Sequence, residues 1–233
     1  MSDADFHSPL PPEGAPSARY VSVFAAVRQE VIRRLGNRPG CHDFEHTERV
    51  LANALRLAAA TSEADTEVIR FAALLHDAAR PEEEASRGRR CHAELGAELA
   101  VEILRSYSEL PPEFVAAVAD AVRTHRWRGR QARPATVEAK IVFDADKLDS
   151  LGAVGIGRAF LFAGACGARL HNREEEALAG EAYGPEDTAF REYLVKLRKL
   201  PAKMLTAAGK AEAAERAEFM AEFFRRLDRE IYG

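Results

Sequence analysis

Between Phe71 and Ala79 the chain reads Phe71-Ala72-Ala73-Leu74-Leu75-His76-Asp77-Ala78-Ala79, apolar on every face of a helix except at His76 and Asp77. A helix that is hydrophobic all round belongs inside a core. A carboxylate in such a helix is costly to bury unless a cation or hydrogen bonds compensate it. The stretch therefore predicts a buried helix, over residues 63–79, that carries an imidazole and a carboxylate into the middle of the fold. The competing reading is a helix end where both groups reach solvent. Ala78 and Ala79 argue against it, because they continue the apolar face.

The rest of the chain supports an all-α fold. Val50, Ala54 and Leu57 recur at helical spacing after His46, behind Asp43 as a helix cap. A first helix from Ser17 to Leu35 ends at Gly36 and Pro39. Further helices are expected over 92–107, from Pro111-Pro112 to His125, over 137–148, around 158–165, over 188–200 and over 211–232. Residues 80–90 read as a polar, charged stretch and 167–185 as an exposed excursion. No segment alternates like a strand. The run Gly152-Ala153-Val154-Gly155-Ile156-Gly157 lacks the lysine and Ser/Thr of a phosphate-binding loop, so it reads as close helix packing. Residues 1–16, with four prolines and Gly14, read as a flexible tail, leaving 17–233 as one domain. On the amphipathic last helix, Phe219, Phe223, Phe224 and Leu227 are expected to pack on that same domain.

Composition narrows the function classes. With 47% apolar and 30% charged residues, the 233-residue chain is that of an ordinary globular protein. A net charge of −4 gives no general reason to expect a nucleic-acid or membrane partner. No apolar run is long enough for a membrane span, and the N-terminus lacks a signal-peptide pattern. Cys41, Cys91 and Cys166 form no paired motif, which suits reduced thiols in a cytoplasmic protein. Oligomeric state is not legible.

Chemistry enters through where the other polar ligands fall. His46, His76, Asp77, His92, His125 and Asp146 lie along five expected helices, each with apolar neighbours three or four residues away that turn it inward. Helix bundles build metal sites from inward side chains in this manner. A lone histidine on an apolar face is more often a satisfied core residue, but six such groups are harder to dismiss. Mixed imidazole and carboxylate ligands suit manganese, iron, zinc, cobalt or nickel.

The order His46, His76-Asp77, Asp146 resembles the H…HD…D signature of HD-domain metal-dependent phosphohydrolases. The stretches His42-Asp43-Phe44-Glu45-His46-Thr47-Glu48-Arg49-Val50 and Asp144-Ala145-Asp146-Lys147-Leu148-Asp149-Ser150-Leu151-Gly152-Ala153-Val154-Gly155-Ile156 are similar to a bacterial subgroup of small HD hydrolases. Some members of that subgroup are associated with nucleoside triphosphate pyrophosphohydrolysis. The resemblance implies an HD-domain helical bundle with additional C-terminal helices. It also implies one or two divalent ions and hydrolysis of a phosphate ester or anhydride of a nucleotide or related small molecule. His46, His76, Asp77 and Asp146 would hold the first ion. His92 and His125 would hold a second, with Asp77 bridging. A few proteins of the same fold use this ligand order to hold two irons and oxidise their substrate, and a non-catalytic domain sensing nucleotide or metal is a third reading. One position departs from the pattern: some HD nucleotidases carry a glutamate three residues after the HD aspartate, and here it is Arg80.

Phosphate chemistry also needs cations around the non-bridging oxygens. Lys147, beside Asp146, is the first candidate clamp, and Arg49, one turn after His46, the second. Arg80 and Arg126 are candidate substrate contacts. Arg126 opens a basic loop around Trp127, which a merely solvated loop explains as well. Asp144 and Asp149 flank Asp146 and could orient a ligand or simply be structural acids. Asp43 and Glu45 read as a cap and a solvated residue, or as substitutes for the missing glutamate.

Overall fold

A computed structural model describes residues 20–36, 43–126 and 132–233; the expected tail, Ser17, Cys41, His42 and Trp127 lie outside them. The described residues form helices and turns without strands, in the order α1 Val21–Leu35, α2 Phe44–Ala59, α3 Thr66–Leu75, α4 Arg80–Ala85, α5 His92–Leu104, α6 Pro112–Thr124, α7 Val137–Leu148, α8 Gly152–Ala165, α9 Glu174–Ala179, α10 Ala189–Val195 and α11 Ala207–Tyr232. Helix starts follow their caps. Asp43 accepts from the His46 amide at 2.8 Å, and Asp65 accepts from the Glu67 amide at 2.9 Å. Thr136 accepts from the Ala139 amide, and Thr206 from that of Gly209.

α3 is the central element, with every residue from Val68 to Leu75 buried, and it packs against α2, α6 and α7. Phe71 meets Tyr20, Phe24 and Phe114 in one aromatic cluster. α5 pairs with α6, while α11 lies across α7 and α8. Its Phe224 is buried and Phe223 and Leu227 are partly covered, whereas Phe219 faces out.

The main departures from the sequence reading lie around the cluster and in the C-terminal half. α3 ends at Leu75, so Asp77 sits in a turn and not within a helix. The turn is closed by i−3 bonds, with the Asp77 carbonyl accepting from the Arg80 amide at 3.0 Å, and α4 restarts with Pro81, which has no N–H to give, in its first turn. Pro201 acts likewise: the expected helix over 188–200 becomes α10 followed by two 3-10 turns. The segment 167–185 is not simply exposed, since it holds α9 and buries His171, Asn172 and Ala177. α8 starts at Gly152, whose φ of +69° closes the turn from α7. Gly155 packs on that turn, where a Cβ would stand 2.3 Å from the Ser150 carbonyl oxygen, so its role is not helix-on-helix packing. No single described helix is long and apolar enough to cross a membrane.

Candidate metal centre

Four imidazoles converge where α2, α5 and the ends of α3 and α6 meet. His46 lies in the first turn of α2, His92 opens α5, and His76 and His125 follow the last turns of α3 and α6. All four are buried, as is Asp77. Each ring is held by Nδ1. The Nδ1–H of His76 donates to the Ala73 carbonyl at 2.7 Å and that of His125 to the Val122 carbonyl at 2.6 Å, the same i−3 contact at two helix ends. His46 donates through Nδ1 to Asp149 Oδ2 at 2.7 Å, and His92 to Glu83 Oε2 at 2.8 Å. An acceptor beside every Nδ1 favours the tautomer that turns the Nε2 lone pair inward; at His92 the Arg126 guanidinium also stands 3.0 Å from Nδ1.

Those lone pairs face one another. His46 and His76 bring their Nε2 atoms to 3.3 Å, and His92 and His125 to 3.2 Å. Asp77 divides between the two pairs. Its Oδ2 lies 3.6 Å from His46 Nε2 and 3.7 Å from His76 Nε2, while Oδ1 lies 3.1 Å from His92 Nε2 and 3.7 Å from His125 Nε2. Asp146 Oδ1 adds a contact at 3.5 Å to His46 Nε2. Two acceptors set face to face gain nothing without a cation between them. Ligands about 2.1 Å from one ion lie roughly 3.0–3.4 Å apart, which is close to this spacing. The donor set therefore fits divalent ions, in two groups that share Asp77: His46, His76, Asp77 and Asp77, His92, His125.

Electrostatics agree with that use. Burial pushes His76 from 6.5 down to about 3 and lowers His125 too, keeping both neutral and able to coordinate. Burial opposes ionisation of Asp146, yet the Lys147 ammonium beside it holds its carboxyl well below the usual carboxylate range. Burial likewise opposes Glu83, but His92 and Arg126 hold it at about 2.

The expected phosphate clamps and substrate contacts each lie against a carboxylate. Lys147 Nζ is tied to the His125 carbonyl at 3.0 Å and to Asp146 Oδ2 at 2.7 Å. Arg49 grips Asp149 behind His46, at 2.8 Å. Arg80 Nε lies 2.9 Å from Asp77 Oδ1, and Arg126 donates to Glu83 Oε1 at 2.5 Å. Asp43 is the α2 cap, and Glu45 is exposed. Asp144 points away from the cluster and accepts from the Leu205 and Thr206 amides at 2.8 Å each.

Comparison with known proteins decides the family. The family model for the HD domain matches residues 43–151, which include all six candidate ligands. YpgQ of Bacillus subtilis, an uncharacterised protein, is 33% identical over 204 residues, 82% of this chain and 85% of the relative. The chain belongs to the HD-domain phosphohydrolase superfamily. HD domains bind divalent metals, in keeping with the donor set above. The crystal structure of B. subtilis YpgQ in complex with ADP superposes with a TM-score of 0.70 and 27% identity, covering 92% of this chain and 98% of that one. A predicted HD superfamily hydrolase from an uncultured Thermotogales bacterium follows at 0.62 and 28%, covering 91% and 92%.

Sequence reasoning missed Glu83 and Arg158 around the HD cluster. Arg158 donates to Asp149 Oδ2 at 2.7 Å, so Arg49 and Arg158 together brace the carboxylate behind His46. Arg80 and Arg126 do the same for Glu83 behind His92. Glu83 lay in a run of charges that reads as solvated, and only its place in the fold singles it out.

Proposed function

We propose that the chain holds two divalent ions and hydrolyses a phosphate ester or anhydride of a nucleotide, most specifically as a nucleoside triphosphate pyrophosphohydrolase. The division of the Asp77 carboxylate between two histidine pairs carries the reading. On it, His46, His76, Asp77 and Asp146 hold one ion, and Asp77, His92 and His125 the other. Such ions withdraw charge from phosphoryl oxygens and lower the pKa of bound water toward about 7.

The chain's own groups then have definite tasks. Asp149 and Glu83 fix ring orientation and raise the basicity of His46 and His92. Lys147 covers the outer oxygen of Asp146, where the cluster is least enclosed. Arg80 and Arg126 set positive charge beside Asp77 and Glu83. Residues 17–233 form the HD-domain unit in this account.

The ADP-bound relative supports a nucleotide substrate and favours phosphate chemistry over the di-iron oxygenase that shares this ligand order. The test is a screen of metal-reconstituted protein against nucleoside mono-, di- and triphosphates, with orthophosphate and pyrophosphate assayed separately. Pyrophosphate from triphosphates is expected. Oxygen uptake without release of either product would point to the oxygenase.

A further inference from the structure

We propose that Arg80 makes the two ions unequal, by holding a permanent positive charge against the Asp77 oxygen that faces the second histidine pair, so that the ion between His92 and His125 is the weaker one; this rests on the two-ion reading above. The turn after α3 sets the contact up. The Asp77 carbonyl accepts from the Arg80 amide at 3.0 Å. The same i−3 turn brings the Arg80 side chain back over Asp77, where Nε lies 2.9 Å from Oδ1. A guanidinium keeps its proton at any pH a folded protein meets, so this charge is always present.

The two halves of the cluster differ at that oxygen. Two carboxylate oxygens face His46 Nε2, Asp77 Oδ2 at 3.6 Å and Asp146 Oδ1 at 3.5 Å. Lys147 stands 2.7 Å from Oδ2 of Asp146, the oxygen turned away from His46. At His92 the oxygen facing Nε2 is Asp77 Oδ1, at 3.1 Å, and it is the atom that Arg80 reaches. The other carboxylate at His92, Glu83, faces Nδ1 instead.

The arginines behind the ligands do not create the difference. Asp149 behind His46 is braced by Arg49 and Arg158, and Glu83 behind His92 by Arg80 and Arg126. Arg80 goes further than a brace: its Nη1 lies 3.1 Å from Glu83 Oε2 while its Nε stands against the ligand oxygen itself. A cation on a ligating oxygen weakens that oxygen's hold on a metal and repels the arriving ion, and burial leaves both effects poorly screened. With the second ion gone, Arg80 keeps the buried Asp77 carboxylate compensated, so the half-loaded centre is itself a stable state. The second ion therefore leaves first when free divalent metal falls, and turnover that needs both ions follows the metal supply.

The test is calorimetric titration of chelator-stripped protein with manganese, without substrate. Wild type should show two steps that differ by about tenfold or more. His92→Ala should lose the weaker step and keep the stronger. Arg80→Gln and Arg80→Met, both neutral, should bring the weaker step about tenfold closer to the stronger, whereas Arg80→Lys should keep the wild-type gap. A residue that only contacts substrate would move neither step. Two equal steps in the wild type, loss of the stronger step in His92→Ala, or a gap that the neutral variants leave unchanged or widen would overturn the proposal and leave the two-ion reading standing. One ion per chain in the wild type and in Arg80→Gln alike would remove the two-ion reading, and the proposal with it.

Discussion

Asp77 is the residue on which everything else turns. It is buried, its oxygens lie 3.1–3.7 Å from all four inward nitrogens, and among the described residues it alone belongs to both ligand groups. Asp77→Ala should therefore abolish metal binding and turnover while the far-ultraviolet circular dichroism stays helical. Behind the ligands the two halves repeat one scheme. Each has a histidine held by an i−3 carbonyl and a histidine held by a carboxylate, and each carboxylate is braced by two arginines. Asp149→Asn should weaken one ion and Glu83→Gln the other, each by about 10- to 100-fold, measured by chelator competition. Unchanged affinity in both would mean that the carboxylates only fill space.

At the scale of elements, Asp144 shows a carboxylate spent on architecture. It accepts from the Leu205 and Thr206 amides and from the Thr206 hydroxyl at 2.7 Å, which pins the start of α11 to α7. Asp144→Ala strands those donors and should cost about 3 kcal/mol in urea unfolding, with metal affinity nearly intact. Loss of metal with stability unchanged would place Asp144 in the site after all. The same stretch shows what sequence makes legible. Asp144, Asp146 and Asp149 look alike in a helical pattern, and only the fold assigns them to α11, to the cluster and to His46. The side chains that converge on the cluster are legible because imidazoles and carboxylates are rare beside so many alanines, leucines and valines. Glu83 and Arg158 were not, since a glutamate in a charged run and an arginine on a helix normally face water. The end of α3 is not legible in the sequence, because the apolar pattern runs on to Ala79 while the backbone leaves the helix at Leu75 and closes i−3 turns instead.

For the whole molecule, the cluster couples metal to stability. Ions bind the folded arrangement, so saturation at about a hundred times Kd should add about 2.7 kcal/mol per ion, and chelation should lower the melting temperature and stop turnover until a transition metal is restored. Retained turnover in the metal-free protein would contradict this. Acid should act on the metal-free protein in a definite direction. His76 takes up its proton near 6.5 when unfolded but only at about 3 when folded, because it is fully enclosed. The unfolded state therefore binds more protons across that window, and stability falls as pH drops through it, by about 1.4 kcal/mol per pH unit for this group. Urea unfolding at about pH 7 and about pH 5 reads the slope. A flat profile would mean that the metal-free cluster opens.

The most direct test of the account is the number of ions bound per chain, counted on desalted, manganese-reconstituted protein beside Asp77→Ala and His92→Ala. Two are expected for the wild type, one for His92→Ala and none for Asp77→Ala. A single ion in the wild type that survives His92→Ala unchanged would contradict the two-ion centre shared through Asp77.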